Sequence, residues 1–140
     1  MATIMIADDD PDTRNLVSTV LGYAGHRVRE ATDGAEALTQ AQAEPPDMVI
    51  ADLMMPTIDG FEFARQLRKI KAMAQTPVVF FTGTYYLEAE ARTLAKACGV
   101  TRIITKPAEP QQILEIVSQS LGVPQVALAP SAVADCPGQT

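Results

Sequence analysis

A fivefold alternation of short apolar runs with longer segments of helical periodicity constrains the fold of this chain most strongly. The short runs are rich in β-branched residues, as is typical of strands in a parallel sheet that helices cover on both faces. Each run is followed by a segment long enough to cross back over the sheet, so neighbouring strands are expected to be parallel. The pattern therefore predicts an α/β domain with a single doubly wound five-stranded parallel sheet and five helices.

Proline and glycine residues indicate where these elements begin and end. Pro11 and Pro110 suit the first turn of a helix, and Gly25 and Gly99 follow helix ends. The predicted strands are Thr3 to Ala7, Arg27 to Ala31, Met48 to Ala51, Pro77 to Thr82 and Arg102 to Thr105. The predicted helices are Asp12 to Tyr23, Gly34 to Ala43, Phe61 to Ile70, Leu87 to Ala97 and Pro110 to Leu121. We expect a folded domain over residues 1–122 and a flexible tail or linker over the proline-containing residues 123–140.

Charge and hydropathy narrow the classes of function. The formal net charge is −6, whereas affinity for nucleic acids depends largely on cationic side chains that release counterions from phosphates. Direct nucleic-acid binding by this chain is therefore not expected. The sequence shows no secretory leader pattern and no apolar run of membrane-spanning length. Cys98 and Cys136 are far apart and are interpreted as free thiols, so we expect a cytoplasmic protein without membrane contact.

Chemically active side chains follow four of the five predicted strands. In an open α/β sheet, ligands bind at the carboxyl ends of the strands. The residues at these positions are Asp8, Asp9 and Asp10 after the first strand, Asp52 after the third, Thr82 at the end of the fourth and Lys106 after the fifth. Parallel strands bring such ends within reach of one another. Facing carboxylates repel, so we expect a cation or a proton to neutralise the cluster.

The ligand types in this predicted cluster favour a hard cation. Oxygen ligands without nearby cysteine or histidine suit Mg²⁺, which usually takes one or two carboxylates from a protein and keeps several waters. We therefore predict Mg²⁺ as the cofactor. Such an ion neutralises charge when a phosphoryl group meets a carboxylate, while a lysine and a hydroxyl hold the equatorial oxygens. Asp52, Lys106 and Thr82 fit the roles of nucleophile, cation and hydroxyl.

Four segments resemble the receiver domains of bacterial response regulators, including the single-domain chemotaxis regulator. They are IMIADDDPDTR, MVIADLMMPTIDGFEF, PVVFFTGT and ITKPAEP, and their order and spacing match over nearly the whole predicted domain. The resemblance implies a flavodoxin-like (βα)5 fold and a function in two-component phosphorelay. Asp52 would accept a phosphoryl group from a sensor histidine kinase or a histidine phosphotransfer protein and thereby switch partner binding. Such a domain is a phosphoacceptor and not a conventional enzyme, although it promotes its own phosphorylation and dephosphorylation.

The same resemblance implies a role for each site residue. Direct Mg²⁺ ligands would be Asp9, Asp52 and the backbone carbonyl of Met54, and Asp8 would act mainly through a bound water. Thr82 would bond the new phosphoryl oxygen, and Lys106 would pair with it.

Ile103 departs from the family's pattern, because many relatives have an aromatic residue three positions before the lysine. The inward rotation of an aromatic ring is unavailable at this position. A receiver used mainly as a docking module therefore stays open as an alternative. A homodimer formed on phosphorylation is also left open by the sequence.

An alternative from another class is a small Mg²⁺-dependent phosphohydrolase with an aspartate nucleophile. Those enzymes place DxDxT or DxDxV at the end of the first strand, whereas here Asp8 and Asp10 are followed by Asp12. Two of these residues also have a local interpretation: Asp10 as the cap of the first helix and Asp12 as an acidic residue in its first turn. Asp59–Gly60 is interpreted as permissive backbone before the third helix.

Overall fold

The computed structural model describes residues 2–53, 55–82, 93, 96–97, 99–100, 102–105 and 109–122. At Thr82 and Thr105 it describes the backbone alone. Several predictions fall outside these residues: most of the helix from Leu87 to Ala97, both cysteines, Met54, Lys106 and the segment 123–140.

Five parallel strands form one sheet in the order β2-β1-β3-β4-β5. The strands are β1 (Thr3–Ala7), β2 (Arg27–Ala31), β3 (Met48–Ala51), β4 (Val78–Thr82) and β5 (Arg102–Thr105). The helices with described boundaries are α1 (Pro11–Tyr23), α2 (Gly34–Ala43), α3 (Gly60–Arg68) and the C-terminal helix (Pro110–Leu121). Thr93, Lys96 and Ala97, between β4 and β5, are also helical. The predicted α/β fold is confirmed, and the strand order runs in opposite directions from β1, as at a ligand-binding switch point.

Helices cover both faces of the sheet, and alternate residues of each strand pack against them. In β1, Ile4 and Ile6 belong to the core beneath α1 and the C-terminal helix, whereas Met5 belongs to the core beneath α2 and α3. All four residues of β3 are at most 2% exposed, because this strand is central and covered on both sides. The buried strand β3 therefore restricts the position of Asp52, the residue that follows it. Among the described residues, no helix has both the length and the apolar character needed to cross a membrane.

Four boundaries, in three elements, differ from the prediction by one or two residues. Strand β4 begins at Val78, since Pro77 lacks the N–H that a strand residue donates, although its carbonyl accepts a 3.0 Å hydrogen bond from Val49. Helix α1 begins at Pro11, whose fixed φ suits the first helical position. Helix α3 begins at Gly60 and ends at Arg68, after which residues Lys71–Met73 form a short 3₁₀ turn that the sequence did not indicate.

Candidate metal and phosphoryl-transfer site

Three predicted metal ligands lie close together at the carboxyl ends of the strands. Strands β1 and β3 are neighbours with Ala7 opposite Ala51, so the residues that follow them, Asp8 and Asp52, lie side by side. Carboxylate oxygens of Asp8, Asp9 and Asp52 all lie within 4.8 Å of one another. Asp8 is 1% exposed and Asp52 is 7% exposed, while Asp9 faces solvent. The cluster therefore consists of two buried carboxyl groups, those of Asp8 and Asp52, beside the solvent-exposed Asp9.

Backbone hydrogen bonds continue past the strand ends and hold both buried aspartates. The Asp52 N–H donates to the Ala7 carbonyl at 2.9 Å, and the Asp8 N–H donates to the Ala31 carbonyl at 3.1 Å. The Asp8 carboxylate is oriented in turn, because its Oδ1 accepts the Asp10 N–H at 2.9 Å. Two of the three acidic residues are thus fixed by the sheet itself, which limits the reorganisation needed to bind a ligand.

Asp10 caps helix α1, as the sequence indicated. Its Oδ1 accepts the Asp12 N–H at 3.1 Å, and its Oδ2 accepts the Thr13 hydroxyl at 2.8 Å. Asp12 lies in the first turn of the helix, where an acidic side chain interacts favourably with the helix dipole. The local interpretation of these two residues is confirmed, and neither belongs to the carboxylate cluster.

The other predicted site residues are placed only in part. Thr82 is the last residue of β4, beside β3, with its backbone opposite Thr105 in the register with β5. Its side chain, Lys106 and Met54 lie outside the described part of the chain. The roles assigned to these three residues stay predictions.

The donor set fits a hard divalent cation. Two oxygens bound to one Mg²⁺ at ~2.1 Å each are at most ~4.2 Å apart, which is comparable with the 4.8 Å limit on the present oxygens. All three donors are carboxylates, and two of them are nearly excluded from solvent. Buried like charges at this distance repel strongly unless positive charge or protons accompany them. The three carboxylates could therefore hold a hard divalent cation.

Glu36, an acidic residue in the first turn of α2, has a structural role there. Its carboxylate accepts hydrogen bonds from the Thr32 N–H at 2.7 Å and the Thr32 hydroxyl at 2.8 Å, while its own N–H donates to the Asp33 cap at 2.8 Å. The backbone hydrogen bond from Thr32 is the main reason that the pKa of Glu36 lies below its usual value. Glu36 organises the start of α2 and is not among the three clustered carboxylates.

The loop between β3 and α3 passes very close to the backbone of Asp52. A Cβ atom on Gly60 would lie 2.7 Å from the Asp52 carbonyl oxygen and 2.8 Å from the Leu53 Cα. The Gly60 N–H also donates to the Leu53 carbonyl at 2.9 Å. The prediction of permissive backbone at Asp59–Gly60 was wrong: the positive φ described in this loop, 69°, belongs to Thr57. Gly60 is required for space and not for an unusual φ.

Arg14, which was not predicted as part of the site, contacts Asp8. Arg14 Nη1 donates to the backbone carbonyl of Asp8 at 2.7 Å. The sequence offered one signal for this contact: a cationic residue stands four positions after the helix cap and follows a run of acidic residues. The contact itself could not be read from that spacing, because it depends on how α1 packs against β2.

Residues 4–118 match the family model of the response regulator receiver domain. This range includes the acidic cluster and every predicted catalytic residue. Among solved structures, chemotaxis protein CheY4 of Vibrio cholerae superposes with a TM-score of 0.81 at 35% identity, covering 86% of this chain and 99% of that one.

Two curated proteins are similar to this chain over most of their own length. Protein PilH of Pseudomonas aeruginosa is 32% identical over 121 residues, which are 86% of this chain and 98% of that protein. An uncharacterized 14.6 kDa protein from the sodA1 3' region of Leptolyngbya boryana is 34% identical over 116 residues, which are 83% of this chain and 87% of that protein. Other curated relatives are longer, and the chain spans 46%, 51% and 8% of three of them.

Proposed function

From the premise that this chain belongs to the response regulator receiver domain family of two-component signalling, we propose that it accepts a phosphoryl group on Asp52. The donor would be a phosphohistidine on a sensor histidine kinase or on a histidine phosphotransfer protein. The observation that carries the proposal is the convergence of Asp8, Asp9 and Asp52 at the carboxyl ends of β1 and β3.

In the proposed reaction, a carboxylate oxygen of Asp52 forms a bond to phosphorus while the bond between phosphorus and the imidazole nitrogen of the donor breaks. The leaving nitrogen keeps the electron pair, and Asp52 becomes an acyl phosphate. The backbone hydrogen bond from Asp52 to Ala7 holds the nucleophile at the end of a buried strand, so little conformational freedom is lost on reaction. Thr82 and Lys106 are proposed to bond the transferred oxygens.

Asp8 and Asp9 are proposed to hold Mg²⁺ together with Asp52 and the carbonyl of Met54. When bound, the ion would neutralise charge that accumulates between the carboxylates and the incoming phosphoryl group. Asp8, fixed by the Asp10 N–H, is suited to a role through water, whereas the exposed Asp9 is accessible to a hydrated ion. Mg²⁺ usually retains several waters in protein sites, which suits a site open on one side.

A small phosphodonor tests this function without the partner kinase. We expect up to one phosphoryl group per chain in the presence of Mg²⁺, measured by intact-protein mass, and background labelling after chelation of the metal. Mg²⁺ should also raise the melting temperature, because a ligand that binds only the folded state stabilises it. Equal labelling with and without Mg²⁺ would contradict the proposal. Sustained release of inorganic phosphate over many turnovers would instead favour the phosphohydrolase.

The docking-module alternative rests on the position of Ile103. This residue is half-buried, lies opposite Phe80 in the sheet and packs against the core beneath α2 and α3. A β-branched side chain has restricted χ1 freedom, and in this setting it offers no aromatic ring to rotate. Partner binding that is the same with and without a beryllofluoride mimic of the phosphoryl group would favour the docking module over the switch.

A further inference from the structure

We propose that Arg14 is a positioning residue of the metal site, acting through the peptide that joins Asp8 to Asp9. The inference rests on the proposed function, since it concerns the same Mg²⁺ site. It goes beyond that function because it assigns the orientation of Asp8 and Asp9 to a cationic side chain that does not itself belong to the carboxylate cluster.

The Arg14 side chain is 16% exposed and contacts two neighbouring residues. Its Nη1 donates to the Asp8 carbonyl at 2.7 Å, and its Nε donates to Glu30 Oε1 at 3.1 Å. The second carboxylate oxygen of Glu30 accepts the Ser18 hydroxyl at 2.9 Å. Helix α1 and strand β2 therefore orient the guanidinium from two sides, and its planar fork reaches two acceptors at once.

The Asp8 carbonyl belongs to the peptide group from which Asp9 extends. A hydrogen bond to that oxygen fixes the plane of the peptide, and with it the direction in which the Asp9 backbone continues. Asp8 is held at its N–H by Ala31 and at its carboxylate by Asp10. The Arg14 contact adds a third constraint on Asp8. Groups that orient metal ligands in this way commonly change metal affinity by ~10–100-fold when they are removed.

Removal of Arg14 changes the affinity for Mg²⁺ in one direction if charge dominates and in the other if positioning dominates. The direction of the change therefore tests the proposal. Arg14 forms an ion pair with Glu30, so replacing the arginine by a neutral residue removes a positive charge and leaves a negative one near the cluster. If long-range electrostatics dominated, Mg²⁺ would bind more tightly to such a variant. If positioning dominates, Mg²⁺ binds more weakly despite the more negative surroundings.

The experiment is a calorimetric titration with Mg²⁺ alone on the folded wild-type chain and on Arg14→Met, which keeps the side-chain length and removes both donors. We expect affinity to fall ~10-fold in Arg14→Met and by less in Arg14→Lys, since one ammonium replaces only part of the fork. Arg29→Met is the matched control, because Arg29 also donates to a backbone carbonyl and pairs with a glutamate, both at Glu44. Its affinity for Mg²⁺ should equal that of the wild type.

The Lys variant keeps the test informative if Arg14→Met does not fold. Unchanged or tighter Mg²⁺ binding in the folded Arg14 variants would overturn the positioning role and leave the proposed function standing. Equal weakening in Arg14→Met and Arg29→Met would also overturn it, because a general loss of stability would then explain both. Absence of Mg²⁺ binding by the wild-type chain would overturn the proposed function and the inference together.

Discussion

Replacing Asp52 with asparagine is expected to reduce labelling by a small phosphodonor to background, a loss on the order of 10⁴-fold or more. The amide has nearly the shape of the carboxylate but lacks a nucleophilic anionic oxygen. The backbone hydrogen bond to Ala7 does not involve the side chain and is preserved. Removing one of three clustered carboxylates also relieves repulsion, so the metal-free variant should unfold at an equal or higher temperature than the wild type.

Asp47 provides a matched control on the same strand. Asp47 lies just before β3, whereas Asp52 lies just after it. The Asp47 carboxylate accepts the Thr3 N–H at 2.8 Å, at the amino-terminal ends of the strands. Asp47→Asn should therefore retain full Mg²⁺-dependent labelling. Acyl phosphate that still forms on Asp52→Asn, located by peptide mass mapping, would show that another residue is the acceptor.

Gly60→Ala is expected to lower the free energy of unfolding by ~1–3 kcal/mol, the usual cost of forcing extra volume into a packed region. The new Cβ would lie 2.7 Å from the Asp52 carbonyl and 2.8 Å from the Leu53 Cα. Both neighbours are backbone atoms, so neither can move aside without displacing the chain next to the acceptor. Denaturant unfolding measures the loss of stability, and the initial rate of labelling should fall in the same variant.

Gly22→Ala is the control for this substitution. Gly22 lies in the last turn of α1, and a Cβ there would meet nothing within 4 Å. Alanine favours a helix over glycine by up to ~1 kcal/mol, so this variant should be equally stable or more stable than the wild type. Similar unfolding free energies for the two variants would mean that the close approach at Gly60 has no energetic consequence.

The fold could be predicted from the sequence because its signals are repeated and agree with one another. Five apolar runs separated by helical segments allow few arrangements other than a covered parallel sheet, and Pro110 marked the start of the C-terminal helix. The end of α3 could not be predicted, because it depends on tertiary contacts. Arg68 donates to the carbonyls of Met73 and Thr76, both at 2.7 Å, and so holds a 3₁₀ turn where the helical pattern alone continued.

The convergence of the acidic residues could also be predicted from the sequence. The contacts of Gly60 and Arg14 with the backbone of these residues could not. Asp8 and Asp52 each follow a buried run, and the register of parallel neighbours places them together. The space restriction at Gly60 and the bond from Arg14 depend on the exact packing of α3 and α1. Sequence spacing carries no information on such contacts, so it could not show that Gly60 is needed for space.

A titration with paramagnetic Mn²⁺, followed by amide NMR spectra, tests most directly whether one divalent ion binds among Asp8, Asp9 and Asp52. Mn²⁺ accepts the same oxygen ligands as Mg²⁺. Substoichiometric Mn²⁺ is expected to broaden first the amide signals of Asp9, Asp10 and Asp52. Excess Mg²⁺ should restore these signals, and the Asp47 signal should be unaffected. Broadening centred on other acidic groups, or spread evenly over the surface, would contradict binding of the ion at this cluster.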